Sequence, residues 1–443
     1  MSQSREDAAR ARKGARYASR RHLWQTSTLK AVRCCGRGVQ DEGAGVVVGG
    51  SSEGHTVVQG ICRCGSIWAE PVCSAKIRNF RADEIQTLLA RHLEAGGQAI
   101  FVTLTVRHFA RHELADLLDA IRDTYKALLS GRAWVGDRKR GAAGHRDRLG
   151  IPGVVRATEV TWGETNGFHP HLHLVVLLGA RQNPRPARGS GETWDPRPTG
   201  YFTPDPDDVA AWQADWRRIW TKRLTALGMR PSDEHGVRFD TVVTEKDAEA
   251  IGTYVAKIQD GKLPGAELAR GDLKTGRQGN MAAFELLARL RDLVGGCDPD
   301  KVPGHGDAET LQRVWWQYET ATKGRRAIEW SRGLRAAYEI DGGDTEEDDH
   351  DAATTDETAE ITGGVQLSAR LWAKVCRRGL DLAVEEAWAE GGAEAVRALL
   401  KEAGIGGALL TELSAEQIEQ LQARRLANLA ARREAAAARR LAP

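Results

Sequence analysis

Gly167-Phe168-His169-Pro170-His171-Leu172-His173-Leu174-Val175-Val176-Leu177-Leu178 sets three histidines at alternate positions ahead of an apolar run. Side chains of a β-strand alternate between its faces, so His169, His171 and His173 share one face and Leu172, Leu174 and Val176 the other. Two neutral imidazoles two residues apart on a strand can close on one divalent ion. Just upstream, Arg156-Ala157-Thr158-Glu159-Val160-Thr161-Trp162 reads as the preceding strand and Gly163-Glu164-Thr165-Asn166-Gly167 as its turn. A hairpin pivoting near Thr165 puts Glu159 opposite His171 on the same face, completing a set of two histidines and one carboxylate. Paired histidines also occur on strands as ordinary core or surface residues, and the carboxylate is what favours a metal. Pro170 suits the start of a strand, so His169 is expected at the rim of the site, with His171 and His173 the leading ligands.

At 443 residues the chain is long enough for two or three domains with a substantial core. It has no run of about eighteen apolar residues, and no apolar stretch follows its Arg-rich opening. Neither a membrane span nor a secretory signal is therefore expected, and a cytoplasmic location is the default. The formal charge of +2 divides into −10 over residues 341–360, which hold ten acids and no Lys or Arg, and +12 over the rest. A basic body suits a polyanion partner such as nucleic acid. Five of the seven cysteines precede residue 74, a distribution unlike a secreted disulfide framework. Cys34-Cys35-Gly36 and the stretch from Cys62 and Cys64 to Cys73 lie among Gly and Pro turns, which let several thiolates converge on one tetrahedral Zn²⁺. Cys297 and Cys376 are isolated.

Residues 1–30 read as a mobile basic arm or short helix suited to touching phosphates, and residues 31–80 as a Cys-rich, zinc-binding segment. Helical periodicity covers residues 75–95, a β-branched strand residues 99–106, and a second helix residues 114–130. The Pro/Gly-rich stretch 181–206 is expected as a surface loop, residues 209–227 as a Trp-rich helix, and residues 236–243 as a strand. The next helix carries Tyr254 and Lys257, three apart and hence neighbours on one face. Residues 81–300 are expected to form the central domain, followed by a helical extension over 301–340. The acidic segment 341–364 reads as a disordered linker and residues 365–443 as a separate helical region. There Ser414-Ala415-Glu416-Gln417 resembles a capping box, and Arg424-Arg425, Arg432-Arg433 and Arg439-Arg440 recur near a seven-residue period as a basic stripe, read as a solvated helix face with DNA or a partner helix as the alternative.

A metal-bearing strand, a tyrosine beside a lysine and a basic surround suggest phosphodiester transesterification. The ion would act as a Lewis acid and the tyrosine as nucleophile. The order of three motifs then resembles that of rolling-circle plasmid replication initiators, members of the HUH endonucleases. They are Phe101-Val102-Thr103-Leu104-Thr105, then His169-Pro170-His171-Leu172-His173, then Tyr254-Val255-Ala256-Lys257. The likeness extends to Cys64-Gly65-Ser66-Ile67-Trp68 and Pro71-Val72-Cys73-Ser74-Ala75-Lys76-Ile77 upstream. Downstream it takes in Gly271-Asp272-Leu273-Lys274-Thr275-Gly276-Arg277 and Gly324-Arg325-Arg326-Ala327-Ile328-Glu329-Trp330-Ser331, as in initiators of actinobacterial plasmids.

The resemblance implies an α+β fold, with a five-stranded antiparallel sheet flanked by helices, the metal on central strands and the tyrosine helix lying across them. It implies that His171 and His173 bind Mg²⁺ or Mn²⁺ and that Tyr254 cuts the plasmid double-strand origin and keeps the 5′ end. Lys257 would hold the phosphate or the tyrosine, leaving a 3′-hydroxyl primer. Single-stranded DNA, a host helicase and a polymerase are the implied partners. Two positions depart from the family pattern. Glu70 stands where a CPVC pair has its first cysteine, so the zinc set becomes Cys35, Cys64 and Cys73 with Cys62 or Glu70. Ala250 stands where single-tyrosine relatives often carry the glutamate that activates water; Asp247 and Glu249 are nearby, but Glu249 lies on another helix face. Phe101, Thr103 and Thr105 share a strand face and are expected to shape the sheet beneath the site. Rival readings are a single-tyrosine transposase or conjugative relaxase, and a non-catalytic zinc-bearing DNA-binding regulator.

Overall fold

A computed structural model of the chain describes residues 2–137, 140–183, 193–229, 236–242, 280–343, 346–405 and 410–441. The fold is α+β with antiparallel sheets. The chain divides into two compact units, one built from residues 77–348 and the other from residues 1–76 together with 349–443.

In the unit of residues 77–348, five strands pair antiparallel in the order Ile328–Trp330, Val154–Gly163, Gly167–Leu178, Gln98–Thr105, Val237–Val242; the two-residue strand Met281–Ala282 adds to Val154–Gly163. The hairpin register pairs Gly163 with Gly167 and Glu159 with His171, so the turn pivots on Thr165 as expected. Gly167 has φ +76°, and a Cβ there would lie 2.8 Å from the Ala110 Cα, so the turn needs glycine both for conformation and for space.

Strand alternation sorts the sheet into two faces. Ile100, Val102 and Leu104 are buried together with Leu172 and Leu174, whereas Phe101, Thr103 and Thr105 are only half-buried on the histidine face. Helix Leu114–Leu128 packs against the histidine strand, burying Leu114, Leu117, Leu118, Ile121 and Tyr125. Helix Pro206–Ala226 begins with Pro206 at its first turn and Asp205 as N-cap, accepting the Asp207 N–H at 2.8 Å. Its Trp212, Trp216 and Trp220, four apart, form one buried stripe. Trp212 meets Phe239 edge-on at 5.3 Å, and the Trp220 indole N–H donates to the Thr105 carbonyl at 2.8 Å, tying the helix to the end of a central strand. The stretch 181–206, expected as a loop, contributes a short strand Pro198–Tyr201 that pairs with Ala180–Gln182.

The other unit departs further from expectation. Its four-stranded antiparallel sheet runs Leu410–Glu412, Ile361–Leu367, Val46–Ser51, Thr56–Gln59, so strands from the two ends of the chain are neighbours. Residues 365–443 are therefore not a separate helical region. The acidic segment is no linker either: it forms helices Glu346–Ala353 and Thr355–Thr358 and enters the strand Ile361–Leu367. Two of its acids have partners distant in sequence: the Glu357 carboxylate accepts the Gly60 N–H at 2.8 and 3.0 Å, and Asp356 pairs with Arg63 and Lys76.

The basic arm is a 25-residue helix, Ser2–Thr26, whose Leu23 and Trp24 are buried. Three of its cations meet acids of helix Asp381–Glu402: Lys13 with Glu385 at 2.6 Å, Arg20 and Arg21 with Asp381 at 2.5 and 2.7 Å. The capping box at Ser414 forms, with Ser414 Oγ accepting the Gln417 N–H at 3.3 Å and Gln417 Oε1 accepting the Ser414 N–H at 2.9 Å. On the helix it opens, Arg425 is buried and donates to Gln59 at 2.6 Å while Arg424 pairs with Asp41, so that arginine pair is structural, not a solvated stripe.

Candidate metal centre

The register of the two central strands brings Glu159, His171 and His173 together, their donor atoms all within 4.8 Å of one another. Glu159 Oε2 is hydrogen-bonded to His171 Nε2 and lies 3.0 Å from His173 Nε2. His173 stands opposite Ala157, whose small side chain leaves room for the Glu159 carboxylate to lean across from the neighbouring row. The first-motif strand supports this arrangement. Thr103 pairs with His173, and its Oγ1 lies 3.3 Å from His173 Nδ1, while the Phe101 ring stacks on the imidazole at 5.5 Å and 10°. A hydroxyl on Nδ1 fixes ring orientation and leaves Nε2 for the shared centre, as outer partners of metal-binding histidines do.

The electrostatics favour a Glu159 carboxylate held between the two imidazoles. Burial raises the Glu159 pKa, but the His171 charge and hydrogen bonds from both imidazoles outweigh it and hold the carboxyl well below its ordinary range. Burial lowers the His171 pKa, and the Glu159 charge more than reverses this, leaving it raised. In His173 burial prevails and the pKa is lowered. Two imidazoles and a carboxylate with donor atoms this close together could hold a divalent metal ion.

His169 is not brought into this group. Its row faces Thr161, and its ring stacks on His108 at 4.3 Å. Burial, then the neighbouring His171, pushes its pKa down to about 3. Tyr254 and Lys257, with Asp247, Glu249 and Ala250, lie outside the described residues. The motif Gly271-Asp272-Leu273-Lys274-Thr275-Gly276-Arg277 also lies outside them.

A feature the strand patterns did not single out borders the site. After the strand Gln98–Thr105 comes Arg107-His108-Phe109-Ala110-Arg111-His112, packed against the turn glycine Gly167. Phe109 is 39 % exposed, with the Arg111 guanidinium 4.9 Å and that of Arg107 5.5 Å from its ring centre. The alternation of Arg, aromatic and Arg just beyond a strand is the signal that would have revealed it.

Of the cysteines, Cys35, Cys64 and Cys73 meet with Glu70, again with donor atoms within 4.8 Å. Cys62 is not in this group; Glu70 takes the fourth place.

Comparison with known proteins gives two relatives from Streptomyces. The chain is 43 % identical over 373 residues to a protein of Streptomyces lividans named "Protein rep", covering 79 % of this chain and 80 % of that one. It is 32 % identical over 452 residues to a "Neomycin resistance protein" of Streptomyces cyanogenus, covering 91 % of this chain and 98 % of that one. No family model matches the chain, and no solved structure matches it.

Proposed function

The chain belongs to the family of the Streptomyces Rep protein, and from that membership we propose that this plasmid replication initiator nicks one strand of its origin by tyrosine attack. The observation that carries the proposal is the convergence of Glu159, His171 and His173, the first two partly exposed and the third buried, on one face of the central sheet. A bound Mg²⁺ or Mn²⁺ would supply Lewis-acid polarisation of a non-bridging phosphate oxygen. Glu159, His171 and His173 would hold that ion, and Thr103 and Phe101 keep the His173 ring in register. Tyr254 is the nucleophile: its phenolic oxygen forms the new bond to phosphorus, the bond from phosphorus to the 3′ oxygen breaks, and the proton ends on that oxygen. The 5′ phosphate stays on the protein, and a 3′-hydroxyl is left to prime a polymerase. Lys257 holds the phosphate or the tyrosine.

Chain length permits this assembly. Val242 pairs with Ala99 and His171 with Thr105, rows about 20 Å apart along the sheet. Tyr254 lies twelve positions beyond Val242, a reach of at most about 40 Å. Initiation at plasmid DNA accords with a cytoplasmic location and with a helicase and polymerase as partners. No helix among the described residues is long and apolar enough to cross a membrane.

The substrate contacts of this reading include the loop at Phe109. Arginine over an exposed aromatic ring, beside the metal-binding face, suits a splayed base and its phosphates. Phe109→Ala should weaken single-stranded oligonucleotide binding about tenfold, in keeping with about 1–3 kcal/mol per stacked base. Arg107→Ala should instead lower the slope of log affinity against log salt by about one. Fluorescence anisotropy of a labelled oligonucleotide across a salt series reads both, and unchanged affinity in Phe109→Ala removes the loop from the substrate path.

The whole reading is tested by incubating the purified chain and Mn²⁺ with single-stranded oligonucleotides tiled across the DNA flanking its gene. One cut site and one covalent 5′ adduct are expected. Absence of cleavage on every tile, with Mn²⁺ bound, would reject the nickase in favour of a DNA-binding role.

A further inference from the structure

The second donor cluster is independent of the nicking chemistry and lies in the unit formed by residues 1–76 and 349–443. Cys35 follows the short helix Lys30–Cys34, Cys64 lies in the loop beyond the strand Thr56–Gln59, and Glu70 and Cys73 open the helix Pro71–Glu94. Cys35, Glu70 and Cys73 have no exposed surface. We propose that Cys35, Cys64, Cys73 and Glu70 form a structural Zn²⁺ site with three sulfur ligands and one oxygen ligand, clamping three separate stretches of the chain.

The spacing fits the ion. Cys35 Sγ lies 3.5 Å from Cys73 Sγ and 3.5 Å from Glu70 Oε2. Zinc–sulfur bonds of about 2.3 Å and zinc–oxygen bonds of about 2.0 Å at tetrahedral angles place ligand sulfurs about 3.8 Å apart, and sulfur and oxygen about 3.5 Å apart. A disulfide requires about 2.05 Å, so these are thiols gathered round a point rather than a bond. Backbone groups already serve the ligands. The Cys64 N–H donates to Cys35 Sγ and the Ser66 N–H to Cys64 Sγ, both at 3.4 Å. Glu70 also caps the helix, accepting the Val72 and Cys73 N–H groups at 3.0 and 2.7 Å, which fixes its carboxylate toward the thiols.

Charge points the same way. Arg20 and Arg21 share Asp381, and Arg63 and Lys76 share Asp356, so each group carries one positive charge in excess. Arg20 and Arg63 are buried, and Arg20 Nε and Nη1 and Arg63 Nη1 have no hydrogen-bond partner among the described residues. Arg20 lies in electrostatic reach of Cys35 and Glu70, and Arg63 of Cys73. Three thiolates and a carboxylate on Zn²⁺ sum to −2, which the two excess charges balance. Three neutral thiols would leave them facing a single carboxylate.

The test uses the full chain with His171→Ala and His173→Ala, so that zinc bound at the catalytic face is not counted and failure of the nickase reading does not bear on the outcome. Elemental analysis should find about one zinc per chain. Cys73→Ser should lose it, Cys62→Ser should keep it, and Glu70→Cys should retain it as a four-sulfur site. Cobalt added to the metal-stripped chain should give tetrahedral visible bands and sulfur-to-metal charge transfer, with the visible bands shifting in Glu70→Cys. A folded chain without zinc and without a cobalt spectrum overturns the site, even where Cys73→Ser fails to fold. Zinc lost from Cys62→Ser, or a cobalt spectrum unmoved by Glu70→Cys, overturns the ligand set.

Discussion

Tyr254→Phe should abolish cleavage of the origin strand, with a rate loss of at least about a thousandfold, or about 4 kcal/mol of activation free energy. The substitution removes one oxygen and keeps the ring, so packing and DNA affinity should change little. No substitute for that oxygen is supplied by the rest of the proposed site. Glu159 is committed to His171 and His173, and Lys257 carries charge but no nucleophilic oxygen. The covalent adduct should vanish together with the nick, since both report the same bond. Supercoiled origin DNA with Mn²⁺ on a native gel reads the nick, and a radiolabelled strand on a denaturing protein gel reads the adduct. If nicking survives at the parental rate, another nucleophile performs the reaction; if both nicking and DNA binding are lost, the tyrosine is holding structure together. Lys257→Ala should cost less than Tyr254→Phe, because a positioning charge can be partly replaced by neighbouring cations or the metal.

The convergence of Glu159 with His171 was legible because its information is local. Gly163 and Gly167 bracket a three-residue turn, and once the pivot is known, strand periodicity alone pairs Glu159 with His171. Thr103 beside His173 follows from the same alternation in the next strand. His169 was expected as a ligand because parity puts it on the right face, but parity says nothing about distance along the strand. Its row meets Thr161 rather than a carboxylate, and His108, from a loop without periodicity, claims its ring. Non-local pairing hid the other unit. Val46–Ser51 bonds to Ile361–Leu367 across some three hundred residues, and no composition window registers that. The same pairing makes the acidic run a folded segment rather than a linker: Glu357 takes the Gly60 N–H and Asp356 takes Arg63 and Lys76, partners far away in sequence. Choosing Glu70 over Cys62 as the fourth member of the cysteine cluster likewise depended on a helix cap, which aims the carboxylate inward, and spacing between cysteines carries no trace of it.

His171→Ala should remove Mn²⁺-supported cleavage, with a loss exceeding about a hundredfold. That figure is the upper end of what outer-shell partners of metal ligands cost when they are removed, and His171 is proposed as a ligand itself. The variant leaves Glu159 with His173 alone, and a single imidazole and carboxylate hold a divalent ion far less firmly than three convergent donors. Thr103→Val provides the graded comparison. It deletes the hydroxyl 3.3 Å from His173 Nδ1 while keeping the β-branched shape a central strand favours, so Mn²⁺ affinity should fall about tenfold, within the range expected of an outer-shell partner. Extra Mn²⁺ should rescue Thr103→Val, whose ligands remain, and should not rescue His171→Ala. Titrating Mn²⁺ against cleavage rate for the three proteins gives the order parental, Thr103→Val, His171→Ala. Cleavage by His171→Ala that proceeds undiminished in a chelator would place the ion elsewhere, because the contact between the Glu159 carboxylate and the His171 imidazole is the geometric reason for assigning it here.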